Sequence, residues 1–266
     1  MSMLDLPDSV TFNFPTPILF GLGVRREIGP YLKENGMKRP LIVTDQGIAP
    51  LPMLHDLKVL LEGDGLEPQI FSDMGGNPVK THVIKGVEAY KAGGCDSVIA
   101  VGGGAPIDVA KVVALMAHHP GDLYDYEDGN ADAPPVDQHI PLLVAVPTTA
   151  GTGSEVGRSS VISEDGTGVK RIIFSPRLMP SKVFADPELT LGLPAKITAA
   201  TGMDALTHLL EAYLAKGYHP MCDGIALEGI QMVHDSLKQC VDFAMLDEDE
   251  LDIEGEMGLE AHAKAR

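Results

Sequence analysis

The sequence predicts an α/β protein, with a parallel-sheet domain in its first two thirds and part of an all-α domain after it. Two patterns carry that expectation. Short apolar runs alternate with longer amphipathic segments up to about residue 185, the way strands and crossover helices read in a parallel sheet. Beyond Pro194, apolar residues recur at helical spacing almost to the end. The expected domains are therefore 1–185 and 186–266, in keeping with a prior of ~150 residues per domain.

Residues 40–45 (PLIVTD), 97–104 (SVIAVGGG) and 141–149 (PLLVAVPTT) read as buried strands, because each is an apolar run too short for a helix. Residues 68–73 (PQIFSD) make a weaker strand. Between them, 53–62, 82–92 and 107–117 carry helical patterns. His118 and His119 follow the last of these before Pro120, where cationic side chains suit a helix dipole. A long helix over 197–217 should stop at Gly217, a residue suited to a left-handed C-cap. A second spans 221–241, and the acidic stretch 245–256 reads as a solvated loop or helix start.

Composition narrows the partners. Twenty Lys and Arg against 38 Asp and Glu give a net charge of −18, which argues against nucleic acid or an anionic membrane as the main partner. Hydrophobic residues at 44% and charged residues at 22% suit a globular chain with a sizeable core. Cys95, Cys222 and Cys240 form no CxxC pair and no disulfide framework, as in a reduced cytoplasmic protein. The N-terminal stretch is broken by acids and prolines and lacks an apolar signal core. No run approaches the ~20 apolar residues of a membrane helix.

Four motifs carry chemistry. In SVIAVGGGAPIDVAKVVALM a strand runs into Gly102, Gly103 and Gly104 and then a helix, so bare backbone and a helix N-terminus could meet a pyrophosphate. The string is not GxGxxG, so the ordinary dinucleotide fingerprint is absent, and a tight turn without a ligand would read similarly. In VPTTAGTGSEVGRSSVI, Thr148, Thr149, Thr152 and Ser154 surround two glycines, a donor-rich loop for phosphate or ribose, or a plain turn. Asp45 ends the first clear strand, where an acid accepts from ribose hydroxyls and repels a 2′-phosphate, or caps the next turn. Asp204 and His208, at i and i+4 in TGMDALTHLLEAY, share a helix face and could bind one metal or simply hydrogen-bond. A full site needs further ligands, and no pattern places His219, His234 or His262 in it.

Taken together, these motifs resemble the iron-containing (group III) alcohol dehydrogenases. The residues that carry the resemblance are Asp45 in VTDQG, Asn77 in GGNP, GGGAPIDVAK, PTTAGTGSE, Lys170, ADPELT and ATGMDALTHLLEAY, in the family's order and over about residues 14–241. The resemblance implies a fold like that of dehydroquinate synthase, with an N-terminal NAD-binding domain and a helical metal-binding domain. It implies reversible hydride transfer between a small alcohol or aldehyde and NAD, with a divalent metal, iron or else zinc, on the substrate oxygen. By motif, Gly102, Gly103, Gly104, Asp108, Thr148, Thr149 and Thr152 would hold the cofactor. Asn77 and Lys170 would join them, and Asp45 would favour NAD over NADP. Asp204 and His208 would be metal ligands, and a homodimer is implied.

The chain departs from the family at three places. Ala105 stands where Ser is usual, and Gly157 where many members carry Thr. The later helices that supply two more histidine ligands are missing, so the chain resembles roughly the first 70% of such an enzyme. By this alignment His262 is not one of those ligands. The alternative expectation is thus a truncated, inactive remnant that binds NAD and exposes apolar surface the missing helices would cover. A zinc-dependent relative of the glycerol dehydrogenases is a third reading within the same fold.

Overall fold

A computed structural model describes Phe12 and residues 16–246. It divides into two compact units, one holding 16–148 and 153–190, the other 149–152 and 191–246 together with Phe12. The first unit thus runs past the expected division at 185/186, because Asp186 is buried within it.

The first unit is built on a sheet of β1 (Ile18–Phe20), β2 (Pro40–Val43), β3 (Gln69–Phe71), β4 (Ser97–Gly102), β5 (Leu142–Pro147) and β8 (Lys182–Ala185). Their order is β1-β8-β5-β4-β2-β3, and every pairing is parallel. Helices α1 (Ile28–Glu34), α2 (Pro52–Gly63), α3 (Lys80–Ala92) and α4 (Gly104–Met116) cross between strands. A separate antiparallel hairpin pairs β6 (Ser159–Ser163) with β7 (Lys170–Phe174).

Strand periodicity makes two cores from one sheet. Leu41, Val43, Val98, Ala100 and Leu143 face α3, α4 and the β6–β7 hairpin. Ile42, Ile99, Val101, Val144, Val146 and Phe184 face α1 and α2. Burial on both faces explains the unbroken apolar runs of β2 and β4. Helix α4 is covered all round, with Pro106, Ile107 and every residue from 109 to 115 buried.

The strand expected over 97–104 stops at Gly102; Gly103 is the N-cap of α4 and Gly104 its first residue. His119 is no exposed cation. It is buried, its Nε2 accepting the backbone N–H of Gln138 at 3.2 Å and its Nδ1 lying 2.8 Å from Leu115 O.

The second unit is a pair of helices, α5 (Ala195–Leu214) and α6 (Pro220–Phe243). They run antiparallel and close where glycine stands. A Cβ on Gly202 would lie 2.2 Å from Leu237 Cδ1, and one on Gly229 would lie 2.6 Å from Leu209 Cδ2. Helix α5 ends at Leu214, before Gly217 is reached. The His219 Nδ1 accepts from Cys222 N at 3.1 Å and caps α6. Only Gly202 and Ala226 are buried on these two helices, while Leu214 is 74% and Ile225 64% exposed. The acidic stretch expected over 245–256 lies outside the described residues beyond 246, as does His262.

Candidate functional site

Because the sheet is parallel, all six strands end on one edge. From β2 the chain winds outward to β3, then returns to β4 on the other side of β2 and continues to β5. A crevice opens at such a reversal, outside the carboxyl ends of the strands. Asp45 follows β2 and Gly102 ends β4, so the two flank it.

The turn at that edge is bare by necessity. Gly102 has φ +146°, a conformation reserved for glycine. A Cβ there would lie 2.6 Å from Pro106 Cγ and 3.3 Å from Ile48 Cδ1. Gly103 is the N-cap of α4, and no side chain caps that helix. The leading amides of a helix lack intrahelical partners, so this end offers donors and a positive dipole to an anion. Pro106 lies within that first turn, where its missing N–H costs no helix bond.

The neighbouring residues line up along the same edge. Asp45 Oδ1 accepts the N–H groups of Gly47 at 2.8 Å and Ile48 at 2.9 Å, an Asx turn that fixes the carboxylate. Next to it, the buried Thr44 hydroxyl has no hydrogen-bond partner among the described residues. Thr148 is buried and its N–H donates to Gly102 O at 3.1 Å, so the two strand ends are tied. Asn77 is exposed between β3 and α3. Its neighbour Pro78 accepts from Ser163 N at 2.8 Å, and Ser163 pairs with the exposed Lys170 across the β6–β7 hairpin. The Asn77 loop and Lys170 are thereby brought close.

Asp108 is occupied from within the protein. Its Oδ1 accepts from Ser154 Oγ at 2.5 Å and its Oδ2 from Val161 N at 3.0 Å. Its own carbonyl accepts from Ser160 Oγ at 2.8 Å. Lys111, one turn on, is wholly buried. Its Nζ donates to Ser154 O at 2.6 Å, Ser159 O at 2.9 Å and Ser154 Oγ at 3.1 Å, and lies 3.8 Å from Asp108 Oδ1. Burial pulls the Lys111 ammonium down to about 8 and pushes the Asp108 and Glu155 carboxyls upward. Sequence reasoning assigned Lys111 no role. The signal was a lone lysine in an otherwise apolar helix, a place where an unpaired charge is not tolerated.

In the second unit, Thr149 is half-buried and Thr152 exposed. Between them Gly151 packs on α5, where a Cβ would lie 3.1 Å from Thr201 O. Further along α5, Asp204 Oδ2 and His208 Nε2 converge to 3.7 Å, with side chains 44% and 54% exposed. Among the described residues no group of three or more His, Cys, Asp or Glu is placed to hold a metal. One carboxylate oxygen and one imidazole nitrogen converging from a single helix face fit two positions of a first-row divalent ion.

The profile of the iron-containing alcohol dehydrogenases matches residues 15–187, and that of the C-terminal region of the Fe-containing alcohol dehydrogenase family matches 198–252. Alcohol dehydrogenase 4 of Schizosaccharomyces pombe is 39% identical over 231 residues, covering 87% of this chain and 54% of that protein. The chain therefore spans about half the length of this curated relative. The crystal structure of a 1,3-propanediol oxidoreductase superposes with a TM-score of 0.84 at 35% identity, covering 96% of this chain and 64% of that one. A sulfoacetaldehyde reductase from Bifidobacterium kashiwanohense, in complex with NAD+, superposes with a TM-score of 0.81 at 33% identity, covering 96% and 65%.

Proposed function

The chain belongs to the iron-containing alcohol dehydrogenase family, and from that premise we propose that it binds NAD and serves hydride transfer between a small alcohol or aldehyde and the nicotinamide ring. One observation carries the reading: the side-chain-free turn at Gly102 leads into the uncapped N-terminus of α4 at the winding reversal of a parallel sheet. That arrangement suits a pyrophosphate, whose charge meets amide donors and a helix dipole.

In this reading the α/β unit, running to 190, is the cofactor domain and the unit holding α5 and α6 is the metal-bearing one. Gly102, Gly103 and Gly104 carry the pyrophosphate, and Thr148, Thr149 and Thr152 contact phosphate, ribose or nicotinamide. Asp45, its carboxylate already oriented by one oxygen, accepts from ribose hydroxyls with the other and disfavours a 2′-phosphate. Asn77 contacts the cofactor from the adjacent loop, and Lys170 approaches its ribose from the hairpin. Asp204 and His208 hold a divalent metal, iron or else zinc, which when bound supplies Lewis-acid polarisation of the substrate oxygen. The working form is a cytoplasmic homodimer. The three free cysteines support the compartment. Edge strand β1 supports the dimer, since Ile18, Phe20 and Leu22 near it are 51%, 64% and 62% exposed.

A second reading, NAD binding without turnover, is favoured by the limit of two converging donors among the described residues. Two measurements separate the readings. NADH fluorescence titration of the chain tests cofactor binding, and failure to bind overturns both. Anaerobic loading with ferrous iron, desalting and metal analysis tests the centre. About one tight metal per chain, lost in Asp204→Ala while NADH binding survives, supports the dehydrogenase. No retained metal supports the second reading, and equal loss of NADH binding in Asp204→Ala counts against the assigned roles.

A further inference from the structure

The cofactor machinery draws on two segments far apart in sequence, the N-terminus of α4 and the loop that follows β5. Both must be held in register for a single dinucleotide to meet them. Past the first turn of α4, and well inside the core, Lys111 and Asp108 reach the far side of that loop. Lys111 donates to two main-chain carbonyls, Ser154 O at 2.6 Å and Ser159 O at 2.9 Å, which bracket the segment where the loop returns to the α/β unit. The Ser154 hydroxyl donates to Asp108 and must therefore accept from Lys111, so the geometry asks for three N–H donors, which only the ammonium has. Nothing in this arrangement faces outward: the Lys111 side chain is 0% and that of Asp108 15% exposed.

We propose that Lys111 is a positioning residue for the cofactor loop. Its ammonium, braced by Asp108, clamps residues 154–159 to α4 and so fixes the point at Gly153 where the loop rejoins the unit whose helix end receives the pyrophosphate. Asp108 acts through the same clamp, held by Ser154 Oγ and Val161 N. The proposal rests on the NAD reading above, and it gives the buried lysine of GGGAPIDVAK a purpose that the phosphate turn alone does not.

The charged groups that face Lys111 are Asp108 on α4 and Glu155 on the loop, both of which favour the ammonium against the burial that opposes it. As the lysine titrates near pH 8 the clamp goes from three donors to two. Wild-type affinity for NADH should then weaken between pH 7 and 9.5, and the weakening should be absent in Lys111→Met.

The test uses the whole chain as wild type, Lys111→Met and Ser154→Ala, the last removing only the shared hydroxyl. NADH titration and amide hydrogen exchange are run on each across that pH range. The expected result for Lys111→Met is about a tenfold or greater rise in the NADH dissociation constant at pH 7, the loss of at least one charge-assisted bond. Faster exchange confined to residues 153–159, with β4 and β5 unchanged, should accompany it. Ser154→Ala should move both readouts the same way by less, and it stands alone if Lys111→Met fails to fold. Unchanged exchange at 153–159 in both variants, or a pH profile shared by wild type and Lys111→Met, overturns the clamp. Failure of the wild type to bind NADH overturns the NAD reading instead, and the exchange result still decides whether Lys111 holds the loop.

Discussion

The same substitution should have opposite signs at two glycines of the candidate site. Gly102→Ala forces a side chain into φ +146°, a region that costs an L-residue about 1–3 kcal/mol. It also drives a Cβ to 2.6 Å from Pro106 Cγ, a ring carbon that cannot swing aside, and such overpacking costs a further ~1–3 kcal/mol. The unfolded chain loses some freedom, returning about 0.4–1 kcal/mol. The net loss should be about 3 kcal/mol. Gly157→Ala has neither difficulty. Its φ is −95° and ψ 150°, and the nearest atom a Cβ would meet is Ser154 O at 3.5 Å. Only the unfolded-state effect remains, so Gly157→Ala should gain about 0.4–1 kcal/mol. Urea unfolding followed by circular dichroism, with m-values compared, measures both. A loss under about 1 kcal/mol at Gly102, or a loss of any size above error at Gly157, would refute the steric reasoning.

Three further expectations follow from buried groups. Asp186, fully buried, accepts from Gly23 N, Glu188 N and the Arg25 guanidinium, so Asp186→Ala should cost about 2–4 kcal/mol in urea unfolding; Arg25 keeps Glu188 at 2.5 Å, which limits the damage. Lys111 titrates near 8 in the fold against 10.5 when free, so the unfolded chain holds more protons between those values and stability should rise with pH across that window by on the order of 3 kcal/mol. Comparing unfolding at pH 7.5 and 10 should show this rise in wild type and not in Lys111→Met; parallel behaviour would count against it. Gly202→Val should prise α5 from α6 at a cost of about 1–3 kcal/mol, read as an earlier loss of helical signal on heating, and an unchanged melt would mean Leu237 yields freely.

Elements with strong local signals were legible from the residues. Strands β2, β4 and β5 are buried on both faces and so read as apolar runs, while α2 through α6 announced themselves by periodicity. The short strands β1, β6, β7 and β8 did not. Serines at 159, 160 and 163 and the cationic start of β7 disguise a hairpin whose Ile162 and Ile173 are fully buried. The donor-rich loop read over 146–162 reaches only into the first of the hairpin's two strands. At the site, Gly102 was recognisable because a strand-to-helix turn demands it. The inward engagement of Asp108 was not, since its partners Ser154 and Val161 lie over forty residues away. No local pattern records a hydrogen bond across that separation.

Residues 149–152 leave the α/β unit, seat Gly151 against Thr201 of α5, and return at Gly153. The boundary between the units is therefore crossed more than once by the polypeptide. A gene fragment cut at codon 190 would carry the strands but strand this loop without the helix it rests on. Exchange of helical segments between homologues should thus succeed only when residue 151 and residue 201 travel together. In this chain, four residues tie the exchange of one unit to the other.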